Sequence, residues 1–381
     1  MNIIIAPDSY KGSLTASKVA ETMKKAVIDI NNTHAVMLKP MADGGEGTID
    51  AMLSSIKGER ISIDCTGPLG EKITTSYAIL DSKQAVIELA AISGLVQVPA
   101  DKRNPDYTTT YGLGEVIRDA LNKGCTSIII GLGGSATNDG GLGMLLALGM
   151  QAWDEKGNKL KGFGADLHRV KKVSFADLDV RISATDIKVA CDVNNPLCGS
   201  EGASVVYGPQ KGASKSQVYE YNKSLDAYGS LIEKATKKSL KDFPGAGAAG
   251  GVGFALLAIG ADLVSGAKLL ATTMRLEEAI KNADIVITGE GQSDEQTLYG
   301  KAPGHVAMLA KKYEVPVVLV SGSLSGDLNI LRERFSGCFS IINKPLSLEE
   351  CMAQAESLLY EQTKQVIHFA SSIAKRNLTK R

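Results

Sequence analysis

The chain has 381 residues, 44% hydrophobic and 22% charged, an ordinary composition for folded domains; at about 150 residues per domain it predicts two or three domains, or two with one enlarged. Lys plus Arg number 42 and Asp plus Glu 42, so no net field is available to hold a nucleic-acid backbone or an anionic membrane. Six cysteines without a C-x-x-C pair and four scattered histidines argue for reduced thiols and against a disulfide framework or a structural zinc.

Ile3 to Ala6 reads as a short buried strand ending in the loop Pro7-Asp8-Ser9, and Val19, Ala20, Met23, Val27 and Ile30 then recur at helical spacing. Met37 to Met41 is a second strand. It runs into Ala42-Asp43-Gly44-Gly45-Glu46-Gly47-Thr48, a glycine-rich loop that opens a helix through Ile56. The start lacks a basic leader and its apolar run is short, which predicts a cytoplasmic protein.

Ile61 to Thr66, Ile73 to Leu80 and Ala85 to Ala90 are joined by turn sequences and read as an antiparallel meander. A helix from about Gly112 to Asn122 follows. The strand Ser127 to Leu132 then leads into the loop Gly133 to Gly141 and an apolar helix. Lys188 to Cys191 is a strand running into Asp192, and Ser216 to Lys237 reads as helix, within an otherwise loop-rich stretch. Gly245 to Ala261 lacks polar side chains but is rich in Gly and Ala and is stopped by Asp262, short of the about 20 apolar residues of a membrane span.

Asp284 to Thr288, Val315 to Ser321 and Cys338 to Ile342 are buried-type strands separated by helices near 303–312 and 327–335, which implies parallel βαβ units. A final helix opens with Ser347 and Glu350 in capping-box spacing. Its apolar face reads Leu348, Met352, Ala355, Leu359, Val366, Phe369 and Ile373. Lys375, Arg376, Lys380 and Arg381 form a basic helix end. The predicted architecture is α/β with two domains: a Rossmann-like parallel-sheet domain of residues 1–45 and 250–381, and an inserted mixed-sheet α/β domain of residues 46–249.

Ligands of open parallel sheets bind beyond the carboxyl ends of strands, so five loops are the candidates. They are Pro7 to Ser13 with Lys11, Asp43 to Thr48, Gly133 to Gly141, Asp192 to Pro196, and Gly289 to Lys301 with Glu290 and Asp294. Lys11 before a helix N-terminus suits a carboxylate or phosphate, although Ser13 or Thr15 also reads as a simple helix cap. Gly131-Leu132-Gly133-Gly134-Ser135-Ala136 satisfies G-x-G-x-x-[GA] and offers amides to a phosphate. No Walker A or protein-kinase signature is present. His305 reads as a packing or capping group in the first turn of its helix.

Taken together these loops resemble the bacterial glycerate kinases of class I, over essentially the whole chain. The resemblance rests on Ala6-Pro7-Asp8-Ser9-Tyr10-Lys11-Gly12-Ser13-Leu14, Asp43-Gly44-Gly45-Glu46-Gly47-Thr48, Gly131 to Gly141, and Thr288-Gly289-Glu290-Gly291 through Gly300-Lys301-Ala302-Pro303, in that order. Tyr10 stands where phenylalanine is more usual. The resemblance implies ATP-dependent phosphorylation of D-glycerate with Mg²⁺, giving 2-phosphoglycerate or 3-phosphoglycerate, in cytosolic glyoxylate, glucarate or galactarate breakdown. It also implies one Rossmann- or flavodoxin-like domain and one resembling the restriction-endonuclease fold.

Charge type and loop position assign Lys11, Asp43, Asp192 and Lys301 to catalysis. Asp8, Ser9, Gly44, Gly45, Glu46, Gly133, Gly134, Ser135 and Asp139 are assigned to substrate and nucleotide, and Glu290 and Asp294 to the metal. Two other functions compete: a nicotinamide-dependent hydroxy-acid oxidoreductase and a non-catalytic hydroxy-acid sensor.

Overall fold

In a computed structural model that describes residues 1–378, the chain divides into two units. One comprises residues 1–42, 50–56 and 267 onward, the other residues 43–49 and 57–266.

The first unit is built on a five-stranded, wholly parallel sheet. Its spatial order is Gly337–Ser340, Val317–Ser321, Ile285–Thr288, Asn2–Ile5, Ala35–Leu38. The three central strands are almost continuously apolar because both faces are covered. Ile3, Ile5, Ile287 and Val320 meet Val19, Met23 and Val27 of the helix Ala16–Ile30 together with Leu359, Val366 and Ile367 of the helix Ala355–Leu378. Thr15 caps the first of these helices by accepting from the Lys18 amide at 3.2 Å. From Asn2–Ile5 the sheet grows one way to Ala35–Leu38 and the other way to Ile285–Thr288, so the strand order reverses between the first strand and Ile285–Thr288. The loops after Ile5 and after Thr288 therefore flank a topological switch point.

The second unit carries a six-stranded mixed sheet, ordered Asp262–Val264, Asp186–Ala190, Ser127–Gly131, Gln84–Glu88, Lys72–Leu80, Gly58–Thr66. Gly58–Thr66, Lys72–Leu80 and Gln84–Glu88 pair antiparallel in succession, as the meander reading expects, and Gln84–Glu88 runs parallel with the three strands beyond it. The chain is thus mixed α/β with one parallel and one mixed sheet. Between the strands Ser127–Gly131 and Asp186–Ala190 lies the small antiparallel pair Gln151–Trp153 and Lys172–Ser174. The helix Lys215–Thr236 spans nearly the segment expected and opens on a Ser214/Gln217 capping box.

One expectation changes. The carboxyl-terminal helix is interrupted at Gln354 into Leu348–Ala353 and Ala355–Leu378. Its buried face is Ala355, Leu358, Leu359, Val366 and Ile367, while Leu348, Met352, Phe369 and Ile373 are exposed, because the break shifts the helical phase and the partner is mainly the helix Ala16–Ile30. The basic end falls outside the described residues at Lys380 and Arg381, and Lys375 and Arg376 are not described in their side chains.

No helix among the described residues is long and apolar enough to cross a membrane. The Gly/Ala-rich stretch has a different use. Ala249, Gly250 and Gly251 take positive φ of 53, 71 and 94° inside the helix Ala248–Ala258, and the Gly140 amide donates to the Gly250 carbonyl at 2.9 Å. A Cβ on Gly250 would collide with the Thr137 carbonyl and come within 2.7 Å of Asn138 Cα. The glycines are there so that two backbones can touch.

That contact is testable against a glycine of the same conformation in open space, Gly260, whose φ is +97° with nothing near its Cβ position. Gly260→Ala should cost about 1–2 kcal/mol for the left-handed backbone. Gly250→Ala should cost about 1–3 kcal/mol more from overpacking, as measured by urea denaturation of both variants.

Candidate functional site

The predicted site residues fall into two sets, one in each unit. In the first unit the loops at the switch point are sewn together. The Asp8 amide donates to the Gly289 carbonyl at 2.7 Å, Thr288 Oγ1 donates to the Ala6 carbonyl at 2.7 Å, and Tyr10 Oη donates to the Val320 carbonyl at 2.7 Å. Gly289 has no room for a side chain because its Cβ would overlap the Val320 carbonyl oxygen. Burial, with the Glu290 charge second, pushes the Tyr10 phenol well above its ordinary range, so it stays neutral. Asp8 is buried, Ser9 half-buried and Lys11 exposed.

Glu290 is 8% exposed. Its Oε1 accepts from Thr297 Oγ1 at 2.6 Å and Ser293 Oγ at 3.1 Å, and Ser293 Oγ in turn meets Ser321 Oγ at 2.8 Å. Lys301 Nζ stands 3.5 Å from Glu290 Oε2 and 4.0 Å from Asp294 Oδ1. Asp294 also caps the short turn Glu295–Leu298 through the Gln296 amide at 2.9 Å. Glu290 Oε1 and Asp294 Oδ1, on the two residues expected as metal ligands, thus meet hydroxyls, an amide and one ammonium. The arrangement sets Lys301 between the two carboxylates.

In the second unit three loops meet at the carboxyl ends of the parallel strands. The Gly133 amide donates to the Gly44 carbonyl at 3.4 Å, and a Cβ on Gly44 would strike Ala190, on Gly131 the Gly44 carbonyl, and on Gly133 the Gly45 Cα at 2.7 Å. The Asp43–Gly47 loop therefore lies flat on the strand ends. Asp43 Oδ1 accepts from the Gly45 amide at 3.2 Å and Asp192 Oδ1 from the Gly266 amide at 3.1 Å. The Asp192 carboxylate and the Asp43 main chain meet at Gly266, whose added Cβ would sit 3.0 Å from Asp192 Oδ2 and collide with the Asp43 backbone carbonyl. Part of the Asp192 side chain reaches solvent. Desolvation nonetheless raises its pKa, and the Asp43 charge adds to the rise against hydrogen bonds from Ser265 and Gly266 that oppose it.

Gly133 and Gly134 are exposed, and among the described residues the Gly134 and Ser135 amides donate to no backbone acceptor. Glu46 is exposed on the neighbouring loop. Asp139, expected to touch nucleotide, is instead fully buried. It accepts from the Thr110 amide at 2.8 Å, Thr110 Oγ1 at 2.6 Å, and the Gly141 and Gly143 amides at 3.1 and 3.2 Å. Desolvation raises its pKa while those four donors pull the other way. It staples the loop rather than meeting a ligand.

One charged residue here was absent from the sequence reading. Lys211, 2% exposed, donates from Nζ to Ser135 Oγ at 2.9 Å and to the Thr137 carbonyl at 2.7 Å. Burial pushes its pKa down to about 7, with the Asp139 charge pulling upward. Only the glycines at 208 and 212 marked the segment.

A model of the glycerate kinase family matches residues 3–371. The chain belongs to the glycerate kinase family. It is 47% identical over 358 residues to a protein of Escherichia coli K12 named glycerate 2-kinase, covering 93% of this chain and 94% of that one. It is 43% identical over 367 residues to a glycerate kinase of Halalkalibacterium halodurans, covering 96% and 97%. A solved structure from Salmonella typhimurium LT2, described as a glycerate kinase 2, superposes with a TM-score of 0.89 at 41% identity, covering 98% of this chain and 99% of that one. Membership makes the protein a phosphotransferase of this family.

Two measurements check the electrostatics. Because Asp43 adds to the upward shift of Asp192, Asp43→Asn should lower the Asp192 pKa, as read by carbon-detected NMR titration of the carboxyl group. For Lys211, the folded value of about 7 lies below the free-lysine 10.5, so the unfolded chain holds more protons between these values. Stability then rises with pH through that window. Relative to Lys211→Met, wild type should gain stability as pH is raised from 7 toward 10.5, as followed by chemical denaturation.

Proposed function

We propose that this chain transfers the γ-phosphoryl group of ATP to D-glycerate, giving 2-phosphoglycerate. The observation that carries this reading is the loop of exposed Gly133 and Gly134 and buried Ser135, with amides left over for an anion, set on the same strand ends as Asp43 and Asp192. Backbone donors for phosphate beside carboxylates for a divalent cation are what phosphoryl transfer requires of its donor site.

Asp43 and Asp192 fit Mg²⁺ better than Glu290 and Asp294 do. Asp43 adds to the cost of charge on Asp192, and both lie at the strand ends beside the 133–135 loop, whereas Lys301 stands between Glu290 and Asp294. Mg²⁺ is held by one or two carboxylates plus phosphate oxygens and water, and bound to this pair it would neutralise charge on the nucleotide phosphates. Gly44, Gly45 and Glu46 shape that loop. Lys11 and Lys301, in the first unit, supply positive charge suited to the glycerate carboxylate, with Asp8 and Ser9 on the same loop as Lys11. Glu290, held by Thr297 and Ser293, keeps Lys301 in place.

The reading carries with it a Rossmann- or flavodoxin-like unit made from both chain ends, an inserted unit of restriction-endonuclease type, and work in cytoplasmic organic-acid catabolism. The strand-order reversal at Asn2–Ile5 supports the first of these. The nicotinamide alternative loses ground at the glycine motif. The helix after it begins only at Leu142, so no helix N-terminus faces a pyrophosphate at the glycines, as that motif requires.

Phosphorus NMR of protein, ATP, Mg²⁺ and D-glycerate should show ADP and the 2-phosphate monoester. Lys11→Ala and Asp43→Asn should each lower kcat/KM by more than about tenfold, or about 1.4 kcal/mol. Folded protein that leaves ATP intact with either glycerate enantiomer would overturn the reading.

A further inference from the structure

A buried ammonium without a counter-ion opposes folding, because the lost hydration costs several kcal/mol, in order of magnitude, even after relaxation. Lys211 is such a group. It ends the short turn Pro209–Lys211, and its backbone is pinned on the far side by Gly212, whose φ of +87° and close approach to the Arg103 carbonyl admit no side chain. No carboxylate among the described residues forms an ion pair with it. Asp139 is the one whose charge reaches it, and that carboxylate is taken up by Thr110, Gly141 and Gly143. A leucine or methionine would fill this place without the penalty, so the charge calls for a use.

The contacts show the use. A protonated lysine donates and does not accept, so with Lys211 charged the Ser135 Oγ, 2.9 Å from Nζ, is the acceptor, and the hydroxyl's own proton is left for another partner. Ser135 sits next to the exposed Gly133 and Gly134, with its own amide and that of Gly134 lacking a backbone acceptor among the described residues. The second donation, to the Thr137 carbonyl at 2.7 Å, holds the chain two residues on. In the same loop Thr137 Oγ1 and Asn138 Oδ1 are buried without a partner, while Asn138 Nδ2 is fixed by Ser204 Oγ at 2.9 Å. The loop has polar groups in excess of what the fold consumes.

We propose that Lys211, protonated when an anion is bound, is a positioning residue for the phosphates of the nucleotide: it turns the Ser135 hydroxyl into a donor toward them and places a positive charge behind the Gly134 and Ser135 amides. This rests on the reading that the 133–135 loop takes those phosphates. The donors are then in place before the ligand arrives, and no side chain has to be ordered on binding.

The test is equilibrium titration of a non-hydrolysable ATP analogue with Mg²⁺, and separately of D-glycerate, into wild type, Lys211→Met, Ser135→Ala and the double variant. Lys211→Met should weaken the analogue by about tenfold or more and leave the D-glycerate Kd within about twofold, a split that a lysine serving only to hold the fold would not produce. Because Lys211 acts through Ser135, the two changes should fall well short of additivity. Folded Lys211→Met that binds the analogue within about twofold of wild type, or weakens both ligands equally, overturns the proposal. Should that variant not fold, Ser135→Ala against Ser135→Thr decides it: the threonine keeps a hydroxyl and should keep binding, and equal binding by both would count against the role. Amide hydrogen exchange of 133–137 in wild type, with and without the analogue, judges the loop reading by itself. Protection there with an unaffected Lys211→Met rejects only the lysine's role, whereas no protection rejects the loop reading and the proposal with it.

Discussion

Contact between bare backbones governs the second unit. Gly44 rests on Ala190, Gly131 on the Gly44 carbonyl and Gly133 on Gly45, each at a separation that a single methyl group would prevent. Because of that fit the Asp43–Gly47 loop lies against the strand ends rather than standing off them, and Asp43 reaches the turn at Gly266 where Asp192 is held. On its other side the Gly133–Gly141 loop is seated on Gly250 and Gly251. Two carboxylates, a set of free amides and a buried lysine are all placed by glycines that carry no chemistry themselves.

The two units handle charge differently. At the switch point of the parallel sheet, Glu290 is fixed by two hydroxyls and Lys301 is drawn toward it, so the side chains arrive with their charges partly balanced. At the ends of the mixed-sheet strands the balance is left open: Asp192 is pushed upward by burial and by Asp43, and Lys211 is pushed downward by burial. Unbalanced charge in a partly desolvated place is a cost in the free protein that a ligand of the right charge can offset. A magnesium nucleotide has both signs of that charge.

Much of this was legible in the sequence, for a physical reason. Strands such as Ile128-Ile129-Ile130 and Val317 to Ser321, buried on both faces, announce themselves by uninterrupted apolar runs, and the loops that follow them stand out by Gly, Asp and Lys. What stayed hidden depends on which way a side chain turns. Asp139 looks like a ligand residue by composition, but Thr110, 29 residues earlier, claims it. That Lys301 settles between Glu290 and Asp294 is not written in their spacing. Lys211 has no local pattern at all, since its partners Ser135 and Thr137 are 76 and 74 residues away. The final helix misled through phase: a break at Gln354 rotates the stripe that a continuous helix would bury.

The most direct test of the account is whether Asp43 holds the divalent cation of the nucleotide. Asp43→Cys, assayed for phosphoryl transfer to D-glycerate, should be nearly inactive with Mg²⁺ and regain activity with Cd²⁺ or Mn²⁺ mixtures in which a thiophilic ion is present, because a thiolate binds soft cations and not Mg²⁺. Wild type should not gain under the same conditions. A folded Asp43→Cys that is as active as wild type with Mg²⁺, or that stays inactive whatever the cation, would contradict the placement of the metal on the Asp43/Asp192 pair.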